Sequence, residues 1–353
     1  MSIVAEHFAF VVGVDTHARS NTYAIITTRT GARLDAAAFP TSPAGIARAL
    51  SWMMRRCGEN HPLLVIEGIG SYGAALRRAA VSQGLEVVEP LPYSPRRRGA
   101  KDDTIDAEAI GRSVVGVDEA LLRRPRSEDA IRTGLRVLVV AREELNAERT
   151  RSINALGALV RSVDLGLDAR RPLSRSQIST IARWRTRNED LGLATARAES
   201  TRLARRIISA EEELGRNKIE LAALVAASGS AQLLNEVGIG AVNAAVILVA
   251  WSHGGRIRSE VAFASLSGTC PIPASSGNTE RHRLNRGGDR RLNRALSSIA
   301  LTRMSHDPET RAYVERRKSE GKTPKEIRRS LKRYIARQVY RRLSNPPEIA
   351  LAS

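Results

Sequence analysis

A chain of 353 residues can bury a full hydrophobic core and has room for two or three domains. No run approaches the roughly 18–20 uncharged apolar residues of a membrane helix, and two cysteines, Cys57 and Cys270, are too few for a disulfide framework or a zinc site. The net charge of +19 is concentrated in residues 281–343, which hold 20 basic and 6 acidic residues, against 13 and 11 in residues 1–115 and 23 and 19 in residues 116–280. A block that basic repels itself unless a polyanion neutralises it. Its cations surround a helix with little large apolar face, so nucleic acid is the expected partner and a membrane surface is not.

The start, MSIVAEHFAFVVGVD, carries Glu6 and runs directly into a strand, so no secretory signal is expected; with reduced cysteines, this suggests a cytoplasmic protein. Residues 8–15 (FAFVVGVD) form an apolar run that ends in an acid and predicts a buried strand. Residues 22–28 and 36–39 predict two more, separated by a turn at residues 29–31, as in an antiparallel meander. Residues 43–57 have helical periodicity, with Ile46, Leu50, Met53 and Met54 on one side. Residues 63–67 (LLVIE) predict a second buried strand ending in an acid, followed by a helix over 72–83 and a short strand over 86–88. The predicted order, βββ-α-β-α-β, is that of an RNase H-like sheet, whose chemistry needs active residues at strand ends.

Three acidic positions stand where strands stop or a helix starts. Asp15 ends VVGVD, Glu67 ends LLVIE, and KDDTIDAEAIGR puts Asp102, Asp103 and Asp106 at the opening of a helix. Asp103 and Asp106 are three apart and share a helix face. Carboxylates buried together are costly without a cation, and Mg²⁺ accepts a few carboxylates plus water and substrate phosphate. The spacing therefore predicts a divalent-metal site, although Asp102 or Asp103 could equally serve as an N-cap. His17 is expected to be a hydrogen-bonded structural residue, and Lys101 a phosphate contact. A nucleotide-binding kinase of the actin type also begins with strand-Asp, but no Gly-rich phosphate loop follows Asp15.

From about residue 127 to 228 the pattern is helical, with Leu135, Leu138, Ala141, Leu145, Ile153 and Leu156 at 3–4 spacing. A second helical arm is predicted over 191–225, with Pro172 in the break. Residues 233–250 read as helix, Gly-Ile-Gly turn, helix, in which the bare amides of Gly238 and Gly240 could meet a phosphate; a plain packing corner fits the same pattern. The segment PIPASSGN is loop-like. After it, Arg281, Arg283, Arg286, Arg290 and Arg291 surround Gly287-Gly288 and suit a phosphate-cradling loop, some of them as surface ion pairs. Residues 311–343 predict a basic helical pair broken near residues 321–324, with Lys322 and Lys325 as further nucleic-acid contacts, and the tail after Ser344 is expected to fray.

The set GVDTH, VIEGIG with Tyr72, and KDDTIDA resembles the DEDD transposases of insertion sequences, recombinases guided by a bridge RNA. LLNEVGIGAVNAAVILVA, FASLSGTCPIPASSGN, RGGDRRLNRAL and the terminal YVERRKSEGKTPKEIRRSLKRYIARQVYRRL extend the resemblance over residues 10–343. It implies an RNase H-like, resolvase-like α/β domain (1–125), a helical arm (126–228), an all-α C-terminal transposase domain (229–343) and a tail (344–353). It also implies an acidic tetrad of Asp15, Glu67, Asp103 and Asp106 that binds Mg²⁺. One departure is Asp102, which stands where the family has Ser or Thr; Asp103 remains the motif match, with Asp102 a nearby substitute. The serine before glycine in PIPASSGN, by position Ser276 with Ser275 as its neighbour, is implied as the nucleophile; His282 is the nearest basic group in sequence. The implied partners are element-end and target DNA, a structured guide RNA and further copies of the chain in a dimer or tetramer. Two rivals remain open: a Holliday-junction-resolvase-like nuclease that uses water, and a non-catalytic nucleic-acid-binding remnant.

Overall fold

The computed structural model describes residues 2–92, 102–126, 129–168, 170–185, 187–273, 285 and 287–345, with the backbone of 282–283. The chain divides into two compact units, Met1–Ser127 and Glu128–Ser353.

The first unit is a five-stranded mixed sheet between two layers of helices. A short helix, α1 (Val4–His7), precedes β1 (Phe10–Thr16), β2 (Ser20–Thr27) and β3 (Arg33–Pro40). Helix α2 (Pro43–Cys57), β4 (Leu63–Ile66), α3 (Ala74–Ser82), β5 (Val87–Val88) and α4 (Asp103–Val115) follow. The strand order is β3-β2-β1-β4-β5. Strands β1, β2 and β3 pair antiparallel, whereas β1 with β4 and β4 with β5 are parallel. β1 is thus central and covered on both sides, which is why its sequence is nearly continuously apolar.

Alternation along the strands sorts the two cores. Val12, Val14, Leu64 and Ile66 pack with Ile46, Leu50 and Met53 of α2 and Leu76 of α3. Val11, Leu63 and Val65 face the other way and pack with Ile110 and Val114 of α4 and Val4 of α1. The boundaries of α2 follow from its ends: the Ser42 side chain accepts from the Gly45 amide, Pro43 opens the first turn, and Gly58 ends the helix with φ +64°. β3 runs further than the predicted residues 36–39, because an edge strand carries polar and exposed residues such as Arg33 and Leu34 that show no buried alternation. α3 starts at Ala74, two residues later than expected.

In the second unit, α5 (Ala130–Ser162) and α7 (Leu191–Ala226) form a long hairpin. Arg142 donates to the Leu214 carbonyl and to Asn217, Arg149 donates to Glu211, and Arg206 donates to Glu148, so the two helices run antiparallel. The break around Pro172 holds an unpredicted short helix, α6 (Arg175–Ile181), whose Ile178 and Ile181 close the distal core with Leu156, Val160, Leu203 and Ile207. At the other end, Leu135, Val139, Leu221 and Val225 belong to the same core as α8 (Ala241–Trp251).

α8 is apolar on every side and is correspondingly enclosed. It packs against α5, α7 and α10 (Arg290–His306), and α9 (Glu260–Leu266), α11 (Pro308–Ser319) and α12 (Pro324–Ser344) complete the same core. Trp251, Phe263 and Tyr340 pack ring against ring at 5.5–6.2 Å between centroids. Two expectations need correction. The C-terminal part is not purely helical, because β6 (Ile272–Pro273) and β7 (His282–Arg283) form a small antiparallel ladder. The segment before Gly238 is also only a 3₁₀ turn, Ala231–Asn235, so no helix precedes the Gly-Ile-Gly corner. Among the described residues no helix is long and apolar enough to cross a membrane.

Candidate active site

The site is built where β1 ends. Gly13 and Asp15 alternate on one face of the strand, and His17, the first residue past it, continues the alternation. That face meets α4: a Cβ on Gly13 would lie 2.0 Å from the Ala107 carbonyl oxygen and 2.4 Å from the Gly111 amide nitrogen. Only glycine allows so close an approach. Asp103, Ala107 and Gly111 are spaced by four and form one stripe of α4, so the contact that seats Gly111 and Ala107 on Gly13 brings Asp103 over Asp15 and His17.

The distances agree. His17 Nε2 stands 3.1 Å from Asp15 Oδ2 and 3.7 Å from Asp103 Oδ1, and the ligand atoms of Asp15, His17 and Asp103 all lie within 4.8 Å of one another. Asp15 is only 7 % exposed. Burial is the main cause that pushes its carboxyl above the usual carboxylate range; His17 opposes the shift, while the charges of Asp103 and Asp106 add to it. Asp106 is half-buried one turn along α4 and reaches Asp15 electrostatically without joining the trio.

Glu67 follows β4 directly. Val14 is in register with Ile66, so Glu67 sits level with Asp15 on the neighbouring parallel strand. Its amide donates to the Val14 carbonyl at 3.1 Å and its carbonyl accepts from Thr16 Oγ1 at 2.9 Å, which stitches the two strand ends together. Its exposed side chain lies outside the 4.8 Å trio. Asp102 is engaged elsewhere: it is the N-cap of α4 and accepts from the Thr104 amide at 2.8 Å. The two adjacent aspartates therefore divide the work, one capping the helix and the other facing Asp15. An open groove of about 720 Å³, lined by Thr22, Ala36, Ala37, Ala38, Asp102 and Asp103, gives access to this edge of the sheet.

The donor set suits a hard divalent cation. It is rich in carboxylate oxygens, one of them desolvated beside like charges, with a single imidazole hydrogen-bonded to the buried one. His17 is the member of the cluster that the sequence reading assigned only a structural role. The alternation of Gly13, Asp15 and His17 was the signal for it.

Several predicted contacts, Lys101, Ser275, Ser276, Arg281, Arg286 and the side chain of Arg283, lie outside the described residues. Arg290 and the exposed Lys322 and Lys325 make no ion pair among the described residues. Arg291 does: it and Arg294 both bind Glu143 of α5, so part of the expected phosphate-facing charge is already compensated. Gly238, at φ +80°, turns its open side to α10, where a Cβ would meet the Ile299 carbonyl at 3.1 Å. Its close approach is thus to the protein's own helix. Gly240 is the N-cap of α8 and has open space around it.

Residues 12–163 match the transposase profile of the DEDD type found in IS110, and residues 230–315 match that of the transposase IS116/IS110/IS902 family. A Sinorhizobium fredii protein named as a transposase, y4rJ, is 30 % identical over 286 residues, 72 % of this chain and 68 % of its own length. The 42 kDa protein of insertion element IS900 from Mycobacterium paratuberculosis is 28 % identical over 64 % of this chain and 67 % of its own length. The 43.6 kDa protein of insertion element IS110 from Streptomyces coelicolor is 32 % identical over 34 % of this chain and 30 % of its own. The chain belongs to the IS116/IS110/IS902 family of transposases, enzymes that cut and rejoin DNA.

Proposed function

We propose that the first unit is an RNase H-like catalytic domain in which Asp15, Glu67, Asp103 and Asp106 hold Mg²⁺, and that Ser276 is the nucleophile toward DNA. The observation that carries this reading is the approach of Asp103 to the buried Asp15, with Asp106 close enough to raise the Asp15 carboxyl. When bound, divalent metal polarises the scissile phosphate and stabilises charge on the attacking and leaving oxygens. The chain's own part is to hold the carboxylates: Gly13 and Gly111 seat α4, and the Thr16–Glu67 bond sets the end of β4 beside β1. Ser276 Oγ then forms a bond to phosphorus as one strand P–O bond breaks. The seryl proton ends on the departing strand oxygen, and the phosphoserine conserves the bond for rejoining.

A structured RNA that selects both DNA sequences, and assembly of two or four copies, complete the proposal. The basic character of residues 281–343 is consistent with such partners. RNA recovered from the purified protein after nuclease protection is expected to be one defined noncoding species from the DNA flanking the gene. Random cellular RNA would contradict guidance.

The acidic cluster fits equally a resolvase-like nuclease that activates water, and the serine separates the two. With end-labelled element DNA, Ser276→Ala is expected to lose the covalent protein–DNA adduct on a denaturing gel and to lower strand exchange by at least about a thousandfold. Ser275→Ala is expected to keep both. Undiminished cleavage by the Ser276→Ala chain would identify the water-using nuclease instead.

A further inference from the structure

We propose that a cationic cleft in the second unit, between the turn at Gly268–Pro271 and the middle of α12, binds one nucleotide of single-stranded nucleic acid. Its phosphate would lie against Arg329 and Lys332 and its base against Tyr334. The proposal rests on the foregoing reading only in taking nucleic acid as the partner.

The cleft has a volume of about 400 Å³, at the small end of ligand sites, and Arg329, Lys332, Arg333 and Arg337 all line it. Among the described residues Glu260 of α9 forms salt bridges with both Arg333 and Arg337, whereas Arg329 and Lys332 form none; Glu326, three residues before Arg329, feels its charge without forming a salt bridge. Lys332 is only half exposed, and its Nζ donates to Asn293 Oδ1 at 2.8 Å; Asn293 is itself anchored by donation to the Ser267 carbonyl at 2.6 Å. Burial first, then Arg328 and Arg329, holds its ammonium below the usual lysine range. A fixed, partly desolvated lysine beside like charges is unfavourable in the free protein. A phosphodiester entering the cleft relieves that repulsion.

The aromatic side of the cleft supplies the second contact. Tyr334 is 54 % exposed although its ring packs edge-on against Tyr313 at 6.0 Å. Arg316 lies over the Tyr313 ring at 5.5 Å, so Tyr334 has a backing and keeps an open flank. An exposed aromatic beside unpaired cations is the pairing that holds a stacked base and its phosphate. A cavity of this size admits one splayed nucleotide, whereas a duplex keeps its bases stacked and presents only its backbone.

The test uses the full-length chain and fluorescein-labelled oligonucleotides of one sequence as single-stranded DNA, single-stranded RNA and duplex DNA, read by anisotropy over a salt series. Arg329→Gln/Lys332→Gln is expected to weaken single-strand binding at least about tenfold more than the charge-matched Arg216→Gln/Lys218→Gln on α7. Its log–log salt slope should be shallower by about 0.7, the value for one lost phosphate contact on a single strand. Tyr334→Leu should weaken single-strand binding about tenfold with the slope unchanged. Duplex binding should change less than about threefold in either variant. Lys332→Arg, which keeps the charge, should bind as wild type, and thermal melts confirm that each variant is folded. The DNA and RNA arms show which strand the cleft takes. If the wild type binds the single strands and both cleft variants match the α7 control, the cleft assignment is overturned while the transposase reading stands. Equal losses on duplex and single strand would also overturn it. A wild-type chain that binds none of the probes would overturn both.

Discussion

Asp15→Asn should melt about 2 °C higher than the wild type at neutral pH in chelator, and should cut DNA at least about a hundredfold more slowly in Mg²⁺. The stability sign follows from the raised carboxyl. The folded chain holds the Asp15 proton to a higher pH than the unfolded chain does, because burial and the charges of Asp103 and Asp106 outweigh His17. Between the ordinary aspartate value of 3.8 and the raised folded value, stability therefore falls as pH rises. Above that window the cost is present in full, and asparagine removes it. Below pH 3.8 both chains are neutral at this position and the advantage disappears. Metal should reverse the order: at a hundredfold excess over Kd, binding stabilises the wild type by about 2.7 kcal/mol, and the variant gains less. Differential scanning fluorimetry with EDTA and with Mg²⁺ checks this. An Asp15→Asn chain that is less stable than wild type in chelator at neutral pH would contradict the account of a strained carboxylate cluster.

Gly13→Ala should be the most damaging single methyl in the first unit, lowering stability by about 3 kcal/mol or more in urea denaturation. The added carbon would sit 2.0 Å from the Ala107 carbonyl oxygen and 2.4 Å from the Gly111 nitrogen. Both are backbone atoms of α4, so no side chain can rotate away and the whole helix must retreat from β1. That retreat lifts Asp103 off Asp15, so the rise in melting temperature with Mg²⁺ should vanish along with the stability. Gly111→Ala is the milder comparison: its Cβ would meet the Ile26 Cδ1 end at 2.7 Å, which can move, and the Gly13 backbone only at 3.0 and 3.2 Å, so the loss should be smaller. A Gly13→Ala chain within about 1 kcal/mol of wild type would show that α4 is not held by this contact.

The acids and the glycine illustrate what a sequence of this kind discloses. Asp15 and Glu67 were legible because apolar runs stop abruptly at a charged residue, and the parallel pairing of β1 with β4 then places those two stops side by side. The span of α2 was legible from its helical periodicity, and the structure shows Ser42, Pro43 and Gly58 fixing its ends. The division between Asp102 and Asp103 was not: either could cap, and only the direction in which α4 enters decides that Asp102 bonds Thr104 while Asp103 faces Asp15. The seat of α4 on Gly13 was missed for the same reason. A glycine in an apolar strand is silent until the partner helix is known. Helix α6 and the β6–β7 ladder are too short to show a periodicity of their own, and α6 is held by the distal core that Ile178 and Ile181 join.

The convergence of the acids can be tested most directly by anomalous diffraction from crystals of the full chain grown with Mn²⁺ in place of Mg²⁺. The account predicts a manganese peak at about 2.2 Å from carboxylate oxygens of both Asp15 and Asp103, with Glu67 and Asp106 in the coordination sphere directly or through water. Manganese bound elsewhere at saturating concentration, with Asp15 turned away from α4, would contradict it.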